Sequence, residues 1–178
     1  MIAAESQSAK LGLWLFLAAD SMFFLGLIGA YMVLRSGQPD DFAAGAISKS
    51  LAATEVACLL AASLGMFTAT AIAKHDPPVG LIVPLAEALL AAACFLIVAA
   101  KHIEYPSLPM DALHACYFTL LAAHGLHVIA AMIAILILLV QAIRGKILPA
   151  QTQFVAIYWH FLVLLWILLF PILFLAGT

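Results

Sequence analysis

Six ionisable side chains lie within stretches of this sequence otherwise built from Leu, Ile, Val, Ala and Phe: Asp20, Glu55, Glu87, His124, His127 and His160, with His102 and His114 nearer the ends. An ionisable group in hydrocarbon is costly unless it finds a partner, so each is a candidate for proton handling, ligand binding or a buried polar contact. Two imidazoles fall in Ala123-His124-Gly125-Leu126-His127, an i, i+3 spacing that puts both on one helix face. Gly125 between them predicts a close helix neighbour. With His160 supplied from another helix, such a pair could ligate a metal or a haem. The alternative is hydrogen bonding between helices, which is favoured because no second transition-metal signature accompanies the pair. Asp20 sits in Trp14-Leu15-Phe16-Leu17-Ala18-Ala19-Asp20-Ser21-Met22-Phe23-Phe24. Apolar and aromatic surroundings penalise its charged form unless a histidine supplies charge or a hydrogen bond. One acid does not make a proton pathway, so a structural or regulatory protonatable site is the favoured reading, and the aromatic run reads as packing.

The elements that position these groups follow from composition. Of 178 residues, 67% are hydrophobic and only 9% charged. Ordinary soluble domains carry about 25% charged residues, so this chain cannot clothe a water-facing surface. A formal charge of −2 leaves no basic footprint for nucleic acid. About 20 apolar residues cross roughly 30 Å of hydrocarbon as a helix. Five stretches qualify, at about 11–34, 51–73, 79–100, 113–140 and 155–176. Backbone groups in lipid must bond within their own segment, so each stretch should be helical. The alternating ten-residue segments of a membrane barrel are missing. The expected architecture is all-α, a single membrane domain over 1–178 formed by a bundle of five transmembrane helices.

The connections, rich in Pro, Gly and charge, are too short for a soluble domain. The first stretch is too long for a signal-peptide core and no cleavage is expected. Lys10, Lys74, Arg144 and Lys146 collect on the N-terminal side, against Arg35, Lys49 and Lys101 opposite. This bias favours a cytoplasmic N-terminus and, after an odd number of spans, an outer C-terminus. In that frame Asp20, Glu87, His127 and His160 could share one polar layer on the cytoplasmic side of the midplane, whereas Glu55 and His114 begin their spans near the outer interface. Tyr158, Trp159 and Trp166 read as interface anchors. Cys58, Cys94 and Cys116 lack paired spacing and read as small apolar residues. A transporter relaying protons through Asp20, Glu87 and the histidines is disfavoured, because no internal repeat or broken helix supports alternating access.

Four ordered motifs resemble subunit III of the haem–copper respiratory oxidases. The Trp14–Phe24 segment is similar to the family's W-x-F-x-x-[ST]-[ED]-x-x-F-F. Phe95 followed by Lys101-His102-Ile103-Glu104-Tyr105 is similar to F…[KQ]-x-x-E-Y, and His124-Gly125-Leu126-His127-Val128 matches H-G-L-H-V. Tyr158-Trp159-His160-Phe161, then Trp166 and Phe170-Pro171, is similar to Y-W-H-F-x-D-x-x-W-x-x-x-[FY]. The resemblance covers nearly the whole chain and implies the short, five-helix form. It implies a subunit of the aerobic electron transport chain in the bacterial plasma membrane, without haem, copper or an active site of its own. Its implied partners are subunit I directly, subunit II and other oxidase subunits, phospholipid, and a larger respiratory supercomplex. The implied role is support of proton uptake and stability during oxygen reduction. Asp20 falls on the family's intramembrane carboxylate, and His124, His127 and His160 fall on its motif histidines. Glu104 lies in the third motif, while Glu55 and Glu87 match no family role. One position departs: Val163 stands where the family commonly has an acid, which removes the usual partner of His124 or His127 and leaves an accessory protein of a quinol oxidase or nitric oxide reductase as the alternative.

Overall fold

The structure, a computed structural model, describes residues 2–37, 49–74, 78–103, 111–146 and 149–175. Among these described residues it is an all-α bundle, with five helices long and apolar enough to cross a membrane. Helix α1 runs over Ile2–Arg35, α2 over Lys49–Ile72, α3 over Ile82–Ile103, α4 over Ala112–Ile143 and α5 over Pro149–Phe170. A 3₁₀ turn at Pro78–Leu81 leads into α3, and a π turn at Pro171–Leu175 follows α5. Proline explains both ends of α5. At Pro149 the missing N–H belongs to a first turn that has no intrahelical acceptor anyway. At Pro171 the same lack removes an i→i−4 bond, and the helix widens there.

The helices extend past the apolar stretches that announce them. Helix α1 begins near residue 2 rather than 11, and α5 at 149 rather than 155. Ala, Gln, Ser and Lys at these ends propagate a helix already nucleated in the apolar segment. Helix α4 has a cap at each end. The Asp111 carboxylate accepts the His114 backbone N–H at 2.8 Å and faces His114 Nδ1 at 2.7 Å. At the other end Gly145, with φ 66°, turns the chain while its N–H bonds Ala142 O at 3.0 Å and Lys146 N–H bonds Gln141 O at 2.9 Å. A residue with a Cβ would be strained in this left-handed turn.

The His114 backbone N–H, then its imidazole, hold the Asp111 carboxyl below the usual carboxylate range. A depressed folded value means the cap contributes fully above the ordinary carboxylate pKa of about 4 and is lost as pH falls through the folded one. Asp111→Ala should therefore remove at neutral pH what acid removes from the native chain. Faster deuterium uptake over 112–116 in the variant is the expected readout, and equal uptake at pH 7 would contradict it.

Packing closes the helices into a ring. Helix α1 touches α4 and α5, α2 touches α3 and α5, α3 touches α4, and α4 also meets α5 across the middle. The interior holds Phe24, Tyr31, Leu59, Met66, Phe95, Leu120, Trp159 and Trp166, all nearly inaccessible. Trp159 and Trp166 are thus core residues, not interface anchors. Trp159 faces the bundle interior from α5 with no accessible surface. Among the helix glycines, Gly65 of α2 marks the close approach. A Cβ there would stand 2.7 Å from Pro84 O and 3.1 Å from Ala88 Cβ. At Gly125, where the sequence predicts such an approach, a Cβ would meet nothing within 4 Å.

Candidate functional site

Helices α1 and α4 bring together the first pair of candidates. Asp20 Oδ1 lies 2.9 Å from His127 Nε2, with Asp20 buried and His127 about one-fifth exposed. The imidazole is fixed from behind, because His127 Nδ1 donates to the Ala123 carbonyl one turn earlier at 2.7 Å. A carbonyl only accepts, so Nδ1 carries a proton and the Asp20–His127 contact needs one more. That proton can sit on the carboxyl or on Nε2, and in either state the pair has no net charge. Asp20 and His127 therefore form a one-proton unit at membrane depth, as a group in hydrocarbon requires. Tyr158 of α5 donates its hydroxyl to the His127 carbonyl at 3.4 Å and sets its ring edge-on to Phe16, with centroids 5.8 Å apart. Asp20 Oδ2 is buried and has no hydrogen-bond partner among the described residues.

His124 shares the α1-facing side of α4 with His127, and Phe24 packs edge-on against both rings, at 6.4 and 5.3 Å between centroids. Its setting is otherwise different. His124 is fully buried, stacks on Trp166 at 4.8 Å and meets Phe95 edge-on at 5.8 Å. Neither ring nitrogen has a hydrogen-bond partner among the described residues, so His124 packs here as an aromatic ring. Val163, at the position where an acid would be expected, is buried in the same core.

His160 joins neither histidine. Its Nδ1 lies 2.7 Å from Ser63 Oγ, tying α5 to α2. It lines a cavity of about 390 Å³ with Thr70, Lys74 and Gln153. Ser63 is the residue that sequence reasoning misses. A serine inside an apolar span is the available signal, since such hydroxyls commonly bond across helices. Among the described residues no group of three His, Cys, Asp or Glu side chains is placed to hold a metal ion.

The remaining acids separate from the pair. Glu55 is completely buried, although it enters α2 only a few residues from the end. Depth along a helix and burial in the bundle are independent: Glu55 and His114 stand near the starts of α2 and α4, and both are buried between helices. Glu87 is exposed on α3, so it shares no buried contact with Asp20, His127 or His160. Glu104 lies outside the described residues.

A ring of five apolar membrane-spanning helices around a buried carboxyl–imidazole pair defines a multi-pass membrane protein. No family model matches the chain. It is 30% identical over 189 residues to cytochrome bo(3) ubiquinol oxidase subunit 3 of Pseudomonas putida, covering 98% of this chain and 88% of that protein. It is 28% identical over 188 residues to cytochrome c oxidase subunit 3 of Bacillus subtilis strain 168, covering 99% and 90%. A probable cytochrome c oxidase subunit 3 of Nocardia farcinica is 30% identical over 173 residues, covering 90% and 84%. The chain belongs to the subunit 3 family of the haem–copper oxidases.

Proposed function

We propose that this chain is the subunit III of a bacterial haem–copper terminal oxidase, packing on subunit I beside subunit II. Similarity to oxidase subunits 3 over nearly its full length carries this reading. In it, haem, copper and the oxygen chemistry belong to the partner subunits. The 178 residues act as one membrane domain in the bacterial plasma membrane, N-terminus cytoplasmic. The lysine and arginine bias of the connections supports that orientation, and reporter fusions at the two ends test it.

Asp20 and His127 supply what such a subunit can contribute, a place inside the membrane that holds and releases one proton without building net charge. The buried contact at 2.9 Å supports this. Lipid binding is part of the same reading. An open apolar cavity of about 420 Å³ between α1 and α5, lined by Phe24, Leu25, Ile28, Phe161, Leu164 and Leu168, has the character of an acyl-chain site. The electron donor, cytochrome c or quinol, is set by other subunits.

Purification of the tagged chain in mild detergent should recover a haem–copper subunit I with it, and recovery of the chain alone would defeat the proposal. Asp20→Asn then tests the proton role. An asparagine amide can donate to His127 Nε2, so the helix contact persists while the exchangeable proton is lost. The variant complex should assemble at wild-type yield yet lose activity several-fold faster during sustained turnover. Unchanged activity over prolonged turnover would make Asp20 structural only.

A further inference from the structure

Glu87 is the tenth residue of the 24-residue span Pro78–Lys101, about 4 Å from its centre. It is exposed and makes no hydrogen bond or ion pair with any described residue. Around it, Val83, Glu87, Leu90, Cys94, Ile97 and Lys101 are all exposed and recur at spacings of 4, 3, 4, 3 and 4 along α3. That is the seam along which two helices pack with a left-handed crossing. A lone carboxyl facing lipid at this depth is strongly unfavourable, whereas the same carboxyl within a helix–helix contact can meet a donor.

We propose that this face of α3 docks a transmembrane helix of another protein subunit, one that presents a lysine, arginine or histidine to Glu87 near mid-membrane. Charge complementarity selects this occupant over a second copy. Two copies inserted with the same topology would meet along this seam with Glu87 against Glu87. The seam has no mid-depth cation of its own, Lys101 lying at its end. The inference rests on the reading of the chain as a subunit of a membrane complex and adds which face meets the partner and through which side chain.

Cys94, exposed on the same seam two turns from Glu87, provides a native reporter. In a Cys58→Ser/Cys116→Ser background, labelling by a membrane-permeant maleimide should be at least tenfold slower in the purified complex than in the chain expressed alone in the same membranes. Glu87→Lys should reduce recovery of partner subunits at least tenfold, and Glu87→Gln, which keeps hydrogen bonding, no more than about threefold. Helicity and yield of the variants expressed alone show that folding is intact, since the side chain is exposed. Partner subunits recovered with Cys94 labelled at equal rates in both settings would overturn the docking face while leaving the assignment as an oxidase subunit standing. Absence of any partner subunit would instead fail that assignment. Oxidative Cys94–Cys94 linkage between copies would identify a second copy as the occupant and overturn the proposal equally.

Discussion

His127→Leu is expected to destabilise the bundle by about 3 kcal/mol, and Asp20→Leu/His127→Leu to recover most of that loss. Removing one member of a buried ion-paired or proton-sharing contact strands its partner, which typically costs about 3–5 kcal/mol. The lower end applies here because His127 keeps about one-fifth of its side chain exposed. What the single variant strands is Asp20, a buried carboxyl whose Oδ2 already lacks a hydrogen-bond partner among the described residues. Replacing both side chains leaves no polar group behind, and packing of similar volume can equal or exceed a buried pair in stability. Denaturant titration of the purified protein in mixed micelles reads all three proteins on one scale. Equal losses for the single and double variants would mean that loss of His127 does not strand Asp20 at a cost. The double variant also separates stability from function, since it should be well assembled and yet lack the shared proton.

The neighbouring histidine sharpens the point. His124→Phe places one aromatic ring where another is already stacked on Trp166 and flanked by Phe24 and Phe95. No hydrogen bond to a described residue is lost, so the two residues of one motif, three positions apart, should respond oppositely to removal of their nitrogen atoms. The i, i+3 spacing places both rings on one face, as the packing of Phe24 against each shows. It cannot say which of them meets the carboxyl, because that depends on the offset between α1 and α4, a property of packing and not of either segment.

The same limit governs the acids. Five apolar stretches long enough to span a bilayer are visible in composition alone, and the all-α bundle follows because lipid leaves the backbone no other way to satisfy its polar groups. Which side of each helix faces inward is harder. In a soluble protein the polar face of a helix betrays its orientation, but here both faces are apolar, one toward lipid and one toward neighbours. Glu55 and Glu87 therefore look alike in the sequence, each a single acid among Ala, Leu and Val. One is completely buried and the other exposed. Trp159 looks like an anchor for the same reason: its place along the chain is visible, whereas the side of α5 it occupies, turned wholly into the bundle, is not. The serine that meets His160 is visible in its span but carries no indication of its partner, which lies 97 residues away.

Glycine placement leads to the second large effect. Gly65→Leu should abolish recovery of the folded subunit, and Gly65→Ala should cost about 1–3 kcal/mol, the usual range for overpacking a filled interior. The obstacle is backbone: a Cβ at 65 would come within 2.7 Å of Pro84 O, with the Ala88 nitrogen and Cβ both at 3.1 Å. No rotamer change relieves that clash, so α2 and α3 must separate along a seam where Ala62, Ala69, Ala88 and Ala92 are wholly buried. Small residues at such a seam let helices approach closely, and the dispersion attraction forfeited on separation is not replaced by a hydrophobic gain in lipid. Gly125→Leu is the matched control, because a Cβ there meets nothing within 4 Å. Its yield and thermal midpoint should stay close to wild type. Separation of α2 from α3 would also move Ser63 away from His160 and carry the Glu87 face with α3, so Gly65→Ala should weaken partner recovery more than its effect on the isolated chain alone accounts for. Normal recovery and stability of Gly65→Leu would mean that the two helices are farther apart in the membrane than the close approach at Pro84 implies.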